Sequence, residues 1–118
     1  MSHAVQIYHN PRCSKSRETL ALLKDNGVEP DVVLYLDTPP DAATLKDLLK
    51  MLGMTSARQL MRQKEDLYKE LNLADSALSE NALIEVMIAH PKLIERPIVV
   101  KDGQARIGRP PEQVLEII

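Results

Sequence analysis

The chain has 118 residues, the length of one domain. Its 15 basic and 17 acidic side chains leave a formal charge of −2, which excludes a generally basic nucleic-acid coat, and 3% aromatics without Trp or Phe exclude a stacked platform for single-stranded nucleic acid. One cysteine rules out an intrachain disulfide and a Cys-rich zinc site, and no apolar run reaches the ~18 residues of a membrane span.

The opening MSHAVQIYHN has no signal-peptide pattern, so a soluble protein of the reducing cytoplasm is expected, with no membrane or nucleic-acid partner. Residues 4–8 form a short apolar run with Val5 and Ile7 and read as a strand. His9-Asn10-Pro11-Arg12-Cys13 reads as a turn. A helix follows from Ser14, with Leu20, Leu22 and Leu23 inward and Gly27 as its left-handed stop. Residues 31–36 predict a second strand, closed by Asp37-Thr38-Pro39-Pro40. Strand, helix and strand make a βαβ unit with parallel strands and a right-handed crossover.

The middle of the chain is helical. Leu45, Leu48, Leu49 and Leu52 share one face, and Gly53 ends that helix. Short helices are predicted over 56–62 and 65–71, and Ser79 caps a better one that closes before Pro91. Ile98-Val99-Val100-Lys101 and Gln104-Ala105-Arg106-Ile107 flank Asp102-Gly103, a strong type I′ hairpin signal. The register sets Ile98, Val100, Ala105 and Ile107 on one face. Pro111 starts a last helix. The order predicts an α/β, thioredoxin-like fold. It is a four-stranded mixed sheet, βαβ then ββα, with a helical insertion over about 41–90 before the third strand. The whole of 1–118 is expected to be a single domain.

Cys13 falls where a strand ends and a helix begins. The first N–H groups of a helix lack internal partners and, with the macrodipole, favour an anion. His9, Arg12, Lys15 and Arg17 surround it, and no acid precedes Glu18. A lone cysteine is often an inert buried thiol. Here the turn position and the cations point to a lowered thiol pKa, in the range of roughly 3.5–7.5 that such settings produce. Ser14 and Ser16 add hydroxyl donors. His9 either finishes the strand or helps to hold the thiolate. A phosphatase-type loop needs arginine six positions after the cysteine, and that position is Thr19. Ser16 stands where a Cys-x-x-Cys motif would carry its second thiol, so a self-closing dithiol centre is excluded. Arg96 and Arg109 bracket the hairpin and so lie close together, where guanidinium forks suit a tetrahedral oxyanion. Arg62, with Arg58 and Lys64 nearby, is either a third such group or a surface salt-bridge partner.

The chain resembles the glutaredoxin-coupled arsenate reductase family, the ArsC family. The resemblance rests on His9-Asn10-Pro11-Arg12-Cys13-x-x-Ser16-Arg17, Tyr35-Leu36-Asp37-Thr38-Pro39-Pro40, His90-Pro91, Arg96-Pro97-Ile98-Val99-Val100 and Gly108-Arg109-Pro110, and covers essentially the whole chain. It implies that Cys13 is the nucleophile and that Arg62, Arg96 and Arg109 hold the oxyanion. His9 would lower the thiol pKa, and Asn10, Ser16 and Arg17 would contact substrate. It also implies a cis Arg96–Pro97 bond. The expected partners are arsenate or a similar oxyanion, glutathione as co-substrate, and glutaredoxin, with no bound cofactor or metal. A different class of function, a redox-sensitive regulator of the Spx type that binds a partner protein, lacks its usual Cys-x-x-Cys switch here. A third reading is a relative that only binds anions.

Overall fold

The computed structural model describes residues 5–118. Ala4, expected to open the first strand, lies outside the described residues. The chain forms two compact units. One joins the segment up to Thr38 with Arg96–Ile118, and the other is Pro39–Glu95.

The first unit holds a four-stranded mixed sheet and has the expected thioredoxin-like plan. Its strands are β1 (Val5–Tyr8), β2 (Asp31–Val33), β3 (Ile98–Lys101) and β4 (Gln104–Ile107), in the order β2-β1-β3-β4. β1 pairs parallel to β2 and antiparallel to β3, and β3 pairs antiparallel to β4. The helix α1 (Ser14–Asp25) and a terminal 3₁₀ segment (Pro111–Glu116) pack together. Val5, Ile7, Leu23, Val99, Val114 and Ile117 form their common core. Ile7 and Leu23 have no exposed surface, and burying each such side chain stabilises by roughly 1.5–3 kcal/mol. At the hairpin, Asp102 and Gly103 take φ of 52° and 76°, the double left-handed geometry of a type I′ turn.

Two elements differ from expectation. The second strand stops at Val33, because Asp37 and Thr38 both donate to the Leu34 carbonyl and turn the chain away. Tyr35 points inward, while Leu34 and Leu36 remain exposed. The terminal helix is 3₁₀ rather than α, a form common in short pieces.

The second unit is helical. α2 (Ala42–Leu52) is capped by the Asp41 side chain, which accepts from Thr44 N–H at 2.8 Å, and ends on Gly53 at φ 73°. A 3₁₀ turn (Ala57–Leu60) carries a Ser56/Gln59 capping box. α3 (Asp66–Glu70) is short, and α4 (Glu80–Ala89) starts from the predicted Ser79 cap. α2 packs on α4, and Leu45 and Leu48 of the first and Leu83 and Met87 of the second are all buried. Among the described residues no helix is long and apolar enough to cross a membrane.

Two features fix the closing turn of the first unit. The Arg96–Pro97 and Arg109–Pro110 bonds are both cis; the second was not expected from the sequence. Gly108 donates to the Pro97 carbonyl at 2.9 Å. A β-carbon on Gly108 would overlap the Thr19 hydroxyl and come within 2.9 Å of Pro97 Cγ. Thr19 has little room to yield, since its hydroxyl donates to the Lys15 carbonyl at 2.8 Å. Gly108→Ala should therefore lower stability by about 1–3 kcal/mol through overpacking. Urea unfolding measures it, with the exposed Gln104→Ala as a near-neutral reference; equal midpoints would contradict the close approach.

Candidate active site

The loop before α1 is built by turn chemistry. Asn10 and Pro11 stand at the first two positions of a tight turn, where both residue types are favoured. Cys13 N–H closes the turn on the Asn10 carbonyl at 3.0 Å, and the Asn10 side-chain oxygen accepts from Arg12 N–H at 3.0 Å. The Arg17 guanidinium donates to the Pro11 carbonyl at 3.0 Å. Cys13 then serves as the N-cap of α1 with extended backbone and a buried side chain.

Ser16 fastens this loop to the helix. It has no exposed surface. Its hydroxyl oxygen accepts from Asn10 N–H at 3.0 Å and lies 2.6 Å from His9 Nδ1. The direction of that second bond follows the tautomer of the imidazole. Burial, and then the charge of Arg17, hold the His9 pKa below its ordinary value and so keep the ring neutral. Asn10, Ser16 and Arg17 thus all work inside the loop, and the hydrogen bond of His9 goes to Ser16.

The antiparallel pairing of β3 with β4 carries Arg96 and Arg109 to the same end of the hairpin. Arg109 Nε donates to the Arg96 carbonyl at 2.9 Å, and its Nη2 reaches Cys13 Sγ at 3.5 Å. Arg96 is buried with 9% of its surface exposed. Cys13, Arg96 and Arg109 are therefore one cluster. Arg62 belongs to the other unit, where its guanidinium pairs with Glu65. Its N–H donates to the Leu93 carbonyl at 2.7 Å, beside the bridge between Met61 and Ile94.

The thiol titrates below its ordinary value. Burial is the largest influence and opposes the thiolate. Against it act the Ser16 N–H, the Arg96 charge, the Lys15 N–H and the Arg109 charge, and together they prevail. No formed cap hydrogen bond reaches the sulfur, so the helix acts through the orientation of its first N–H groups. A sulfur ionised in this way beside two guanidinium groups is suited to attack a tetrahedral oxyanion held by the same cations.

The sequence reading gave Gly108 no role beyond its place in the Gly108-Arg109-Pro110 motif, yet its missing side chain lets the Arg109 turn approach α1. The available signal was a glycine immediately before Arg-Pro at a strand end. It also passed over a cavity of about 320 Å³ beside the loop, lined by His9, Asn10, Pro11, Arg12, Leu34, Leu36 and Asp37. No local pattern announces it, since its walls come from two separate turns.

Alkylation of Cys13 followed against pH should give a midpoint below the free-thiol value of ~8.5. Removing a cation must raise it, so Arg96→Ala and Arg109→Ala should each move the midpoint upward. A midpoint at or above the free-thiol value in the unaltered chain would contradict the thiolate.

Known proteins agree with this architecture. The ArsC family profile matches residues 8–117. The chain is 79% identical to a protein of Escherichia coli K12 described as uncharacterized protein YfgD, over 100% of this chain and 99% of that one. It is 51% identical to a protein of Neisseria meningitidis named arsenate reductase, over 97% of each. A solved structure described as an arsenate reductase from Vibrio cholerae superposes with a TM-score of 0.97 at 62% identity and covers both chains completely. With the family profile matched over residues 8–117, the same fold and this extent of identity, the chain belongs to the ArsC family.

Proposed function

We propose that the chain is an arsenate reductase that uses Cys13 as nucleophile and glutathione as the second thiol. The observation that carries this reading is Arg109 Nη2 at 3.5 Å from a buried Cys13 sulfur whose ionisation is favoured. The relatives named arsenate reductase support the substrate class. Cys13 thiolate attacks arsenic and displaces one oxygen as water, giving a thiol–arsenate adduct. Arg96 and Arg109 bind the remaining oxygens and stabilise the charge that builds on them.

Counting electrons supplies the rest. Arsenate becomes arsenite by gaining two electrons, and two thiols lose two electrons when they join as a disulfide. Cys13 is the only cysteine, so the second thiol comes from outside. One arsenate, the Cys13 thiol and one glutathione thus give arsenite, water and a Cys13–glutathione disulfide. Another thiol then attacks the glutathione sulfur and frees Cys13, a step suited to glutaredoxin. A reducing cytoplasm, where such thiols are held reduced, is the compartment this reading requires. It calls for no bound cofactor or metal.

Purified protein with arsenate and no added thiol should release essentially no arsenite. With glutathione, intact-mass measurement should show one glutathione on Cys13, and sustained turnover should need glutaredoxin. Cys13→Ser should lose both. Arg96→Ala and Arg109→Ala should each lower kcat/KM by roughly 10²-fold or more. Lysine at either position should restore little, since a point charge cannot make a forked contact. Arsenite release without thiol, or activity in Cys13→Ser, would overturn the mechanism.

A further inference from the structure

Thr19 has no task in the chemistry described above, yet it is a polar side chain with no exposed surface. It lies on α1, six positions after the cysteine. Its hydroxyl donates to the Lys15 carbonyl at 2.8 Å. Helical threonines often make this bond to the carbonyl four residues back. What matters here is which peptide receives it. The Lys15 carbonyl and the Ser16 N–H belong to one planar peptide unit.

Cys13 is the N-cap of α1, so Lys15 and Ser16 hold the second and third positions of the helix. Those are the positions whose N–H groups face an N-cap side chain. After burial, which opposes ionisation, the Ser16 N–H is the largest influence on the Cys13 thiol and favours the thiolate. The Thr19 proton therefore sits at one end of a peptide dipole and the sulfur at the other. A hydrogen bond on a carbonyl polarises its own peptide and strengthens the bond made by the N–H. The Ser16 side chain is held separately, by Asn10 N–H and His9.

The surroundings suit a hydroxyl with one fixed partner. A β-carbon on Gly108 would lie 2.4 Å from Thr19 Oγ1, so the Arg109 turn closes over it. A valine would fill the same shape with no buried polar atom to satisfy. The charged and titratable groups near the sulfur are Arg96 and Arg109 beyond the strand ends, His9 and Arg12 before it, and Lys15 and Arg17 on α1. The last two side chains go to Glu18 and the Pro11 carbonyl. Thr19 adds no charge to this group and works on the far end of the dipole.

We propose that Thr19 is a positioning residue for the nucleophile: by holding the Lys15 carbonyl it aims and polarises the Ser16 N–H toward the Cys13 sulfur. This role deepens the reading above and rests on it only for a nucleophilic Cys13.

Alkylation by iodoacetamide, in which the Cys13 sulfur displaces iodide, reads the thiolate without arsenate or glutathione. Strengthening one charge-assisted hydrogen bond by roughly 10–30% corresponds to about 0.1–0.7 unit in a titration midpoint. Thr19→Val keeps the shape, loses the hydroxyl and should raise the midpoint by about that much. Thr19→Ser should return it to the value of the unaltered chain. Thr19→Ala, which leaves room beside Gly108, should shift upward like valine and is read in its place if valine crowds the fold. Thr19 also abuts the turn that carries Arg109, and an Arg109→Ala background separates the two routes. There the shift from Thr19→Val should persist at full size, since the peptide route does not pass through the guanidinium. Its disappearance in that background would overturn the proposal, as would a serine variant shifted as far as valine. A free-thiol midpoint in the unaltered chain would remove the nucleophile itself. A lowered midpoint that neither Thr19→Val nor Thr19→Ala moves would remove the Thr19 role alone.

Discussion

One guanidinium joins the parts of this site. Arg109 holds the Arg96 carbonyl with Nε and approaches the Cys13 sulfur with Nη2. Strand ends, helix start and reactive atom are thereby tied at a single group. The contact depends on three local conditions. The hairpin must place both arginines at one end, Gly108 must leave room beside Thr19, and the Asn10–Pro11 turn must deliver Cys13 to the N-cap. Each is a backbone condition, and the charged chemistry follows from them.

The electrostatics of the cysteine are a contest between burial and orientation. Taking a thiolate out of water is unfavourable, and a sulfur this enclosed would remain protonated in apolar surroundings. The balance is reversed by dipoles and charges already aimed at it. Two are N–H groups of the first helical turn, and two are guanidinium groups just beyond the ends of strands distant in sequence. His9 contributes differently. As a neutral ring bonded to Ser16 it adds no charge beside the sulfur and instead keeps the loop in place.

Local features of the sequence were readable where a residue type has one conformational use. Asp102-Gly103 announced the hairpin, Gly53 the end of α2 and Ser79 the start of α4. The lone Cys13 among cations, with Arg96 and Arg109 across the hairpin, outlined the cluster. Where tertiary structure decides, the pattern misled or was silent. Leu34 and Leu36 look like strand residues and lie exposed in a turn, because the Leu34 carbonyl is taken by two N–H groups further on. The partners of the Ser16 hydroxyl had no local sign, since they are set by how the loop folds back on the helix. Arg62 sits in a different unit, and its ion pair with Glu65 follows the ordinary three-residue spacing.

The Cys13–Arg109 contact spans 96 positions of the chain. That separation has a consequence for biosynthesis. Synthesis runs from the N-terminus, so the cysteine emerges near the start and Arg109 near the end. β1 has no β3 to pair with until residues 98–101 are made, and closing a loop that long precedes any reward from its contacts. For most of its time on the ribosome the nascent chain therefore carries an ordinary thiol. The sulfur gains its arginine partners only when the polypeptide is almost complete.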